Sequence, residues 1–291
     1  MISASLVKEL REKTGAGMLD CKKALEATNA DMDLAVDWLR EKGISKAMKK
    51  ADRIAAEGIA SILIKGNEAA IVEVNSETDF VAKNTEFTSM VEEILNVIIE
   101  SDVKTVEEAL NLSTENGTVQ DLIVAKTAKI GEKLSLRRFE KVIKEDTDVF
   151  GEYIHMGGKI ATLVLLSGAN ETVANDVAMQ AAAMRPLYTN PSMVPDDVLE
   201  KEKSIMKEQL LNEGKPADRI ENILVGKVKK YYEDVCLENQ IYIKAENKET
   251  VGEYVAKNDG VILNMIRFEV GEGMEKRCEN FAEEVAKQIN G

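Results

Sequence analysis

Histidine is almost absent from this sequence: His155 is the only one in 291 residues. A single imidazole cannot build a multi-histidine metal site, and no Ser/His/Asp or Cys/His pairing converges on it. Cysteine is nearly as scarce. Cys21, Cys236 and Cys278 are odd in number, far apart and without a CxxC spacing, so neither a zinc site nor a disulfide framework is supported, and a reducing cytoplasm fits. Long apolar runs are missing too: no stretch approaches the roughly 18 apolar residues of a spanning helix. Met1 to Lys8 runs into a charged amphipathic pattern with no apolar signal core. The expectation is a cytoplasmic chain, neither exported nor anchored. An excess of positive charge is also lacking, since 52 Asp and Glu against 38 Lys and Arg leave a net charge of -14. That balance opposes a sequence-independent grip on nucleic acid or on an anionic membrane and makes a protein the natural partner. There is no GxSxG and no Walker sequence. Gly15-Ala-Gly17 has no strand before it and no Gly-Lys-Ser/Thr after it, and Gly271-Glu-Gly273 lacks the dinucleotide-binding spacing. No catalytic constellation, metal site or cofactor is expected, and the chain reads as a non-enzyme. The competing enzymatic reading would have to rest on His155 alone, in the Tyr153-Ile-His-Met-Gly-Gly158 turn.

What is present is a 44% hydrophobic chain long enough for roughly two domains. Leu6 and Leu10, then Met18 and Leu19, lie at helical spacing, followed by Cys21, Ala24, Leu25 and by Leu34, Ala35, Trp38, Leu39. Residues 5–43 therefore read as three short helices resembling a ubiquitin-associated module, followed by a basic linker over 45–53. From Gly58 the period changes to two, and Ile59 to Leu63 and Ala70 to Val74 form a hairpin about the Lys65-Gly66-Asn67-Glu68 turn. A helix carrying Phe87, Val91, Ile94, Leu95 and Ile98 follows. Next come two short helices opened by capping boxes, Thr105 with Glu108 and Thr118 with Asp121, and then a strand from Leu134 to Phe139.

The same order recurs about 92 residues on. A strand near Tyr153, the Gly157-Gly158 turn, a strand from Ile160 to Leu166 and a helix from Glu171 to Met184 repeat the first copy. Ala70 to Asn75 falls on Thr162 to Ser167, and Val81 to Asn84 on Val173 to Asp176. Val198, Leu199, Ile205, Met206 and Leu210 form one stripe and Ile220, Leu224, Val228 and Tyr231 the return stripe. Together they predict an antiparallel helical hairpin of about five turns per arm, inserted in the second half. Val251 to Lys257 as helix, Ile262 to Val270 as strand and Arg277 to Ile289 as helix complete an α+β chain. Its parts are 1–53 (module and linker), 54–145 (first core half), 146–190 with 235–275 (second half), 191–234 (hairpin) and 276–291 (terminal helix).

Within the first half, Thr78-Asp79-Phe80-Val81 places an aromatic after the polar step Asn75-Ser76-Glu77. Such a Phe either folds back under its own helix or stays in solvent for a partner. Phe80 falls on Thr172 in the second copy; the lack of an apolar residue there favours a role specific to the first copy.

Four segments carry a family resemblance: Leu6 to Met18 with Asp20 to Leu25, Thr78 to Asn84, Lys129-Ile-Gly-Glu132 with Arg137-Arg138, and Ile266 to Lys276. Through them nearly the whole chain resembles bacterial elongation factor Ts, the guanine nucleotide exchange factors for elongation factor Tu. The resemblance implies a three-helix module, a two-part α+β core with small antiparallel sheets, an inserted coiled coil and a terminal helix. It implies that Thr78, Asp79, Phe80 and Val81 dislocate Mg²⁺ in the partner, with Asp79 and Phe80 wedged into its G domain. It makes Arg11, Met18 and Leu19 further contacts to the G domain. It matches His155, Gly157 and Gly158 to a loop meeting the partner's third domain, although Met156 to Lys159 departs from the family's commonest residues. Pairing of two copies through the hairpin is compatible with this pattern. The alternative from another class is a ubiquitin-associated-like adaptor that only scaffolds partners.

Overall fold

The computed structural model describes residues 2–14, 16–41, 50 and 53–275. Most of the linker read over 45–53, and the whole helix read over 277–289, lie outside the described residues. Helices α1 (Ala4–Thr14), α2 (Met18–Ala27) and α3 (Met32–Glu41) bury Val7, Leu10, Cys21, Ala24, Leu25, Ala35 and Leu39 in one small core. The chain turns between α2 and α3 through Asn29 and Ala30, both at positive φ. The Asp31 carboxylate then accepts the backbone N–H groups of Asp33 and Leu34, which caps α3. Met18 and Leu19 do not continue the Leu6/Leu10 stripe. They open α2 after the chain has turned, and both are about half exposed.

Strands β1 (Glu57–Lys65) and β2 (Glu68–Ser76) form a hairpin whose turn places Gly66 at φ +58. Next follow α4 (Asp79–Ala82), α5 (Thr85–Ile99), α6 (Val106–Leu110), the short pair β3 (Ser113–Thr114) and β4 (Gly117–Thr118), then α7 (Val119–Ile130) and β5 (Ser135–Ile143). Both expected capping boxes form, at Thr105 with Glu108 and at Thr118 with Asp121. The second half repeats the order as β6 (Asp148–His155), β7 (Ile160–Ser167), α8 (Glu171–Met184), α9 (Asp196–Asn212), α10 (Ala217–Val235), α11 (Val251–Lys257) and β8 (Val261–Glu269).

Each half contributes one three-stranded antiparallel sheet, in the orders β1-β2-β5 and β6-β7-β8. Both sheets shift register at residues 92 apart, between Glu73 and Val74 and between Leu165 and Leu166. The period-2 alternation decides what each face covers. Ala70, Val72 and Val74 pack under α5 and α7, and Val164 and Leu166 pack under α8 and α11. The opposite faces meet each other: Ala60, Ile62, Ala69 and Ile71 pack on Phe150, Ala161, Leu163, Leu165, Ile266 and Phe268. Because both faces of β2 and β7 are covered, the runs Ala69–Val72 and Leu163–Leu166 are continuously apolar rather than alternating. The helical hairpin α9/α10 leaves this body at one place. The N–H groups of Leu187 and Tyr188 both donate to the Val235 carbonyl, and that of Leu237 to Tyr188. The arms meet at Leu210 and Ile220, both buried.

A carboxylate sits where the two sheets join. Glu73 is 0% exposed, and it accepts hydrogen bonds from Arg137 Nη1 at 2.8 Å, Arg138 Nε at 2.6 Å and the Gly271 backbone N–H at 2.9 Å. Arg138 also stacks 4.2 Å over the Phe268 ring and donates to the Glu269 carbonyl. Burial alone would raise the Glu73 carboxyl; the Gly271 N–H and the two guanidiniums outweigh it and hold the group below its ordinary value. Glu73→Gln should therefore destabilise by about 3 kcal/mol, because part-buried Arg137 loses its carboxylate partner while Arg138 keeps only Glu272, 3.5 Å away. Since its folded pKa is depressed, the Glu73 contribution is complete above the unfolded value near 4.5. It is lost as pH falls below that value through the folded pKa. Urea unfolding of both proteins from pH 7 to pH 3 checks this: the gap should be widest at pH 7 and narrow in acid.

Candidate functional site

Strand β2 ends at Ser76, and Thr78 turns the chain into α4. The Thr78 backbone is extended and its hydroxyl accepts the Val81 N–H at 3.5 Å, so Thr78 is the N-cap of a four-residue helix. One turn of helix has almost no stability of its own. It is held because Val81 and Ala82 are buried beside the helix layer of the first half. With those two turned inward, Phe80 is turned outward and is 80% exposed. Asp79 stands beside it, accepting from Lys83 Nζ at 3.1 Å. That hydrogen bond, with the charges of Lys83 and Lys159, keeps the Asp79 carboxyl below its ordinary range.

The loop after α7 closes on this turn from the other side. Glu77 accepts the Lys133 N–H at 2.7 Å and pairs with Arg53 at 3.3 Å. Glu132 accepts the N–H groups of Glu77 and Thr78 at 3.1 and 3.0 Å and the Thr78 hydroxyl at 2.7 Å. Sequence patterns assigned no role to Glu132 or Glu77. The spacing of 54 residues between Thr78 and Glu132 carries no periodic signal, and only the resemblance drew attention to Lys129–Glu132.

The β6–β7 turn comes to the same end of the sheets. Met156, Gly157 and Gly158 all have positive φ. The Gly158 carbonyl accepts the Ala60 N–H at 2.7 Å, and a Cβ on Gly158 would stand 3.0 Å from Ile59 Cβ. Gly158 is thus buried against β1 and shapes the turn, whereas His155, Met156 and Gly157 are exposed. The His155 ring lies against Tyr153, with Nδ1 3.3 Å from the Tyr153 hydroxyl. Lys159 pairs with Glu57 at the start of β1 and contributes to the field at Asp79. The fold therefore brings Lys159, which follows this turn, near enough to Asp79 for its charge to act on the carboxylate.

It does not bring Met18 and Leu19 there. The neighbouring Gly17 packs on Asp121 in the first turn of α7, so closely that a Cβ would overlap the Asp121 carboxylate. Arg11 Nη1 donates to Asn111 at 3.3 Å. Thr78 is held just beyond the other end of α7, a helix roughly 18 Å long at 1.5 Å per residue. An exposed aromatic with a carboxylate beside it, on a mount held by buried Val81 and by Glu132, can bind and displace. Cys21 and Cys236 are buried free thiols, and Cys278 lies outside the described residues.

Comparison with known proteins agrees with the earlier resemblance. The family described as Elongation factor TS matches residues 77–272. The chain is 51% identical over 289 residues to the Elongation factor Ts of Limosilactobacillus fermentum, covering 99% of both chains. It is 52% identical over 288 residues to that of Pediococcus pentosaceus, covering 99% of this chain and 98% of the relative. To that of Limosilactobacillus reuteri it is 49% identical over 289 residues, with 99% of both covered.

The exposure of Phe80 has a direct consequence for stability. Phe80→Ala should change the unfolding free energy by less than about 0.5 kcal/mol, as at other unburied positions. Phe87→Ala, in the first turn of α5 and fully buried, should cost about 3–5 kcal/mol. Denaturant titrations of the two variants distinguish them, and a large loss at Phe80 would place its ring in the core.

Proposed function

The chain belongs to the Elongation factor TS family of translation elongation factors, and on that premise we propose that it binds GDP-loaded elongation factor Tu and promotes GDP release. In this mechanism Asp79 and Phe80 enter the partner's G domain and dislocate its Mg²⁺, after which GTP binds. The observation that carries the proposal is Phe80, 80% exposed on a helix turn whose other side is anchored by buried Val81. A ring left in water gains its free energy only on transfer into a partner.

Guanine nucleotide is held largely through its phosphates and their Mg²⁺. Moving the elements that hold the metal removes the main electrostatic anchor of the nucleotide. By linkage, the factor by which this chain weakens nucleotide equals the factor by which nucleotide weakens this chain. The complex with the empty partner is therefore the tight one, and abundant GTP in the cytoplasm completes the exchange. No bond is made or broken, so the activity needs neither catalytic groups nor a cofactor of its own.

His155, Met156 and Gly157 extend the contact beside Phe80, while Arg11, Met18 and Leu19 supply a second contact about one α7 length away. Thr78, Asp79, Phe80 and Val81 divide their work: Thr78 and Val81 fix the turn, Asp79 and Phe80 enter the partner.

Phe80→Ala should slow release of labelled GDP from elongation factor Tu by about 30-fold to 1000-fold, equivalent to about 2–4 kcal/mol of lost anchor. Normal release by the folded variant would refute the wedge and leave an adaptor that binds without exchange. Deleting residues 195–234 with a short closure should leave release mostly intact, since Val235, which ties the base of the hairpin to Leu187 and Tyr188, is retained. A fall in release by the folded deletion protein would place the hairpin in the active surface.

A further inference from the structure

We infer that Glu132 is a positioning residue for exchange, acting through Thr78 to aim Phe80; this rests on the wedge reading above and adds what holds the wedge in place. The helix that carries Phe80 is four residues long and cannot keep its own direction. Its orientation depends on its N-cap, and the N-cap is fixed from outside. Glu132 Oε1 takes the Thr78 hydroxyl hydrogen at 2.7 Å. That leaves the Thr78 oxygen free to accept from the Val81 N–H, which it does at 3.5 Å. Glu132 Oε2 takes the N–H groups of Thr78 and Glu77. A single carboxylate thus sets the Thr78 side-chain rotamer and the two peptide planes that lead into the turn.

The partner loop is fixed in return. Glu77 accepts the Lys133 N–H, so the strand end at 77–78 and the loop at 132–133 each offer a carboxylate to the other's backbone. The hydrogen bonds of the Glu132 carboxylate go to residues 77 and 78, before Asp79 and Phe80 in the chain, and that of Glu77 goes to residue 133. Glu132 also lies outside the exposed surface formed by Phe80 and Met156, being itself partly covered. Its effect on a partner therefore travels through the direction of α4. Binding groups misplaced by about an ångström cost far more than their own contact energy would suggest, which is the reason a positioning residue is visible in a rate.

The substitutions separate positioning from general support. Glu132→Ala removes both acceptor oxygens and all three hydrogen bonds. Glu132→Gln keeps one oxygen for the two N–H groups and can donate its amide to the Thr78 oxygen, so it preserves most of the clamp. Thr78→Val keeps the shape and loses only the hydroxyl.

The experiment measures second-order rates of labelled GDP release from elongation factor Tu, with amide hydrogen exchange at 77–82 in each free variant. E132A and T78V should lower the rate about 10-fold to 100-fold and speed amide exchange at Val81, with a melting temperature close to that of the parent. E132Q should recover most of the rate. In an F80A background E132A should add no further loss, because the group it aims is gone. Full multiplicative loss in that background, or a normal rate in E132A while F80A is slow, would overturn the role of Glu132 alone. A normal rate in F80A itself would overturn the wedge and the positioning role together.

Discussion

The carboxylate of Glu73 is the constraint on which the rest of the molecule depends. It stands on the face of β2 that meets the second sheet, at the register shift shared with β5, and it gathers Arg137, Arg138 and the Gly271 N–H. Those three donors come from the third strand of one half and from the turn beyond the last strand of the other. Apolar contact between the two sheets supplies most of the cohesion but little direction. The ion cluster supplies direction, because fully hydrogen-bonded buried charge tolerates only one arrangement of its donors. Arg138 serves both purposes, stacking on Phe268 while it pairs with Glu73.

The consequence reaches the candidate contact surface. Strand β2 carries Glu73 and, a few residues later, Thr78. Strand β1, paired to β2 along its whole length, receives the β6–β7 turn through the Ala60–Gly158 hydrogen bond. Fixing the sheets against each other therefore fixes Phe80 relative to His155 and Met156.

Local features of this fold were legible in the sequence. The Gly66-Asn67 turn, the capping boxes at Thr105 and Thr118, and the apolar face of α5 depend on residues within a few positions of each other. The limits of α9 and α10 are likewise set locally, by Pro195, Gly214 and Pro216. Sheet-on-sheet packing was not legible, since a covered strand looks apolar whether a helix or a sheet covers its second face. The two clamps were also out of reach: Glu73 to Gly271 spans 198 residues, and among 52 acidic residues nothing distinguishes a bridging carboxylate from a solvated one. Met18 and Leu19 keep a helix-like spacing from Leu10 although they open the next helix, α2.

The internal repeat shows where the first half has departed from the second. At the 92-residue offset, the cap Thr78 corresponds to the cap Asn170, and buried Val81 to buried Val173. Two other positions differ in kind. Glu73, buried, stands where the second half has the apolar Leu165, and Phe80, exposed, stands where it has the exposed polar Thr172. Each inverts the usual partition of polar and apolar groups, and each works against folding when taken alone. The first inversion is answered within the chain by two arginines and a backbone N–H. For the second, the described residues leave the ring 80% exposed, and the compensation proposed for it is the surface of another molecule.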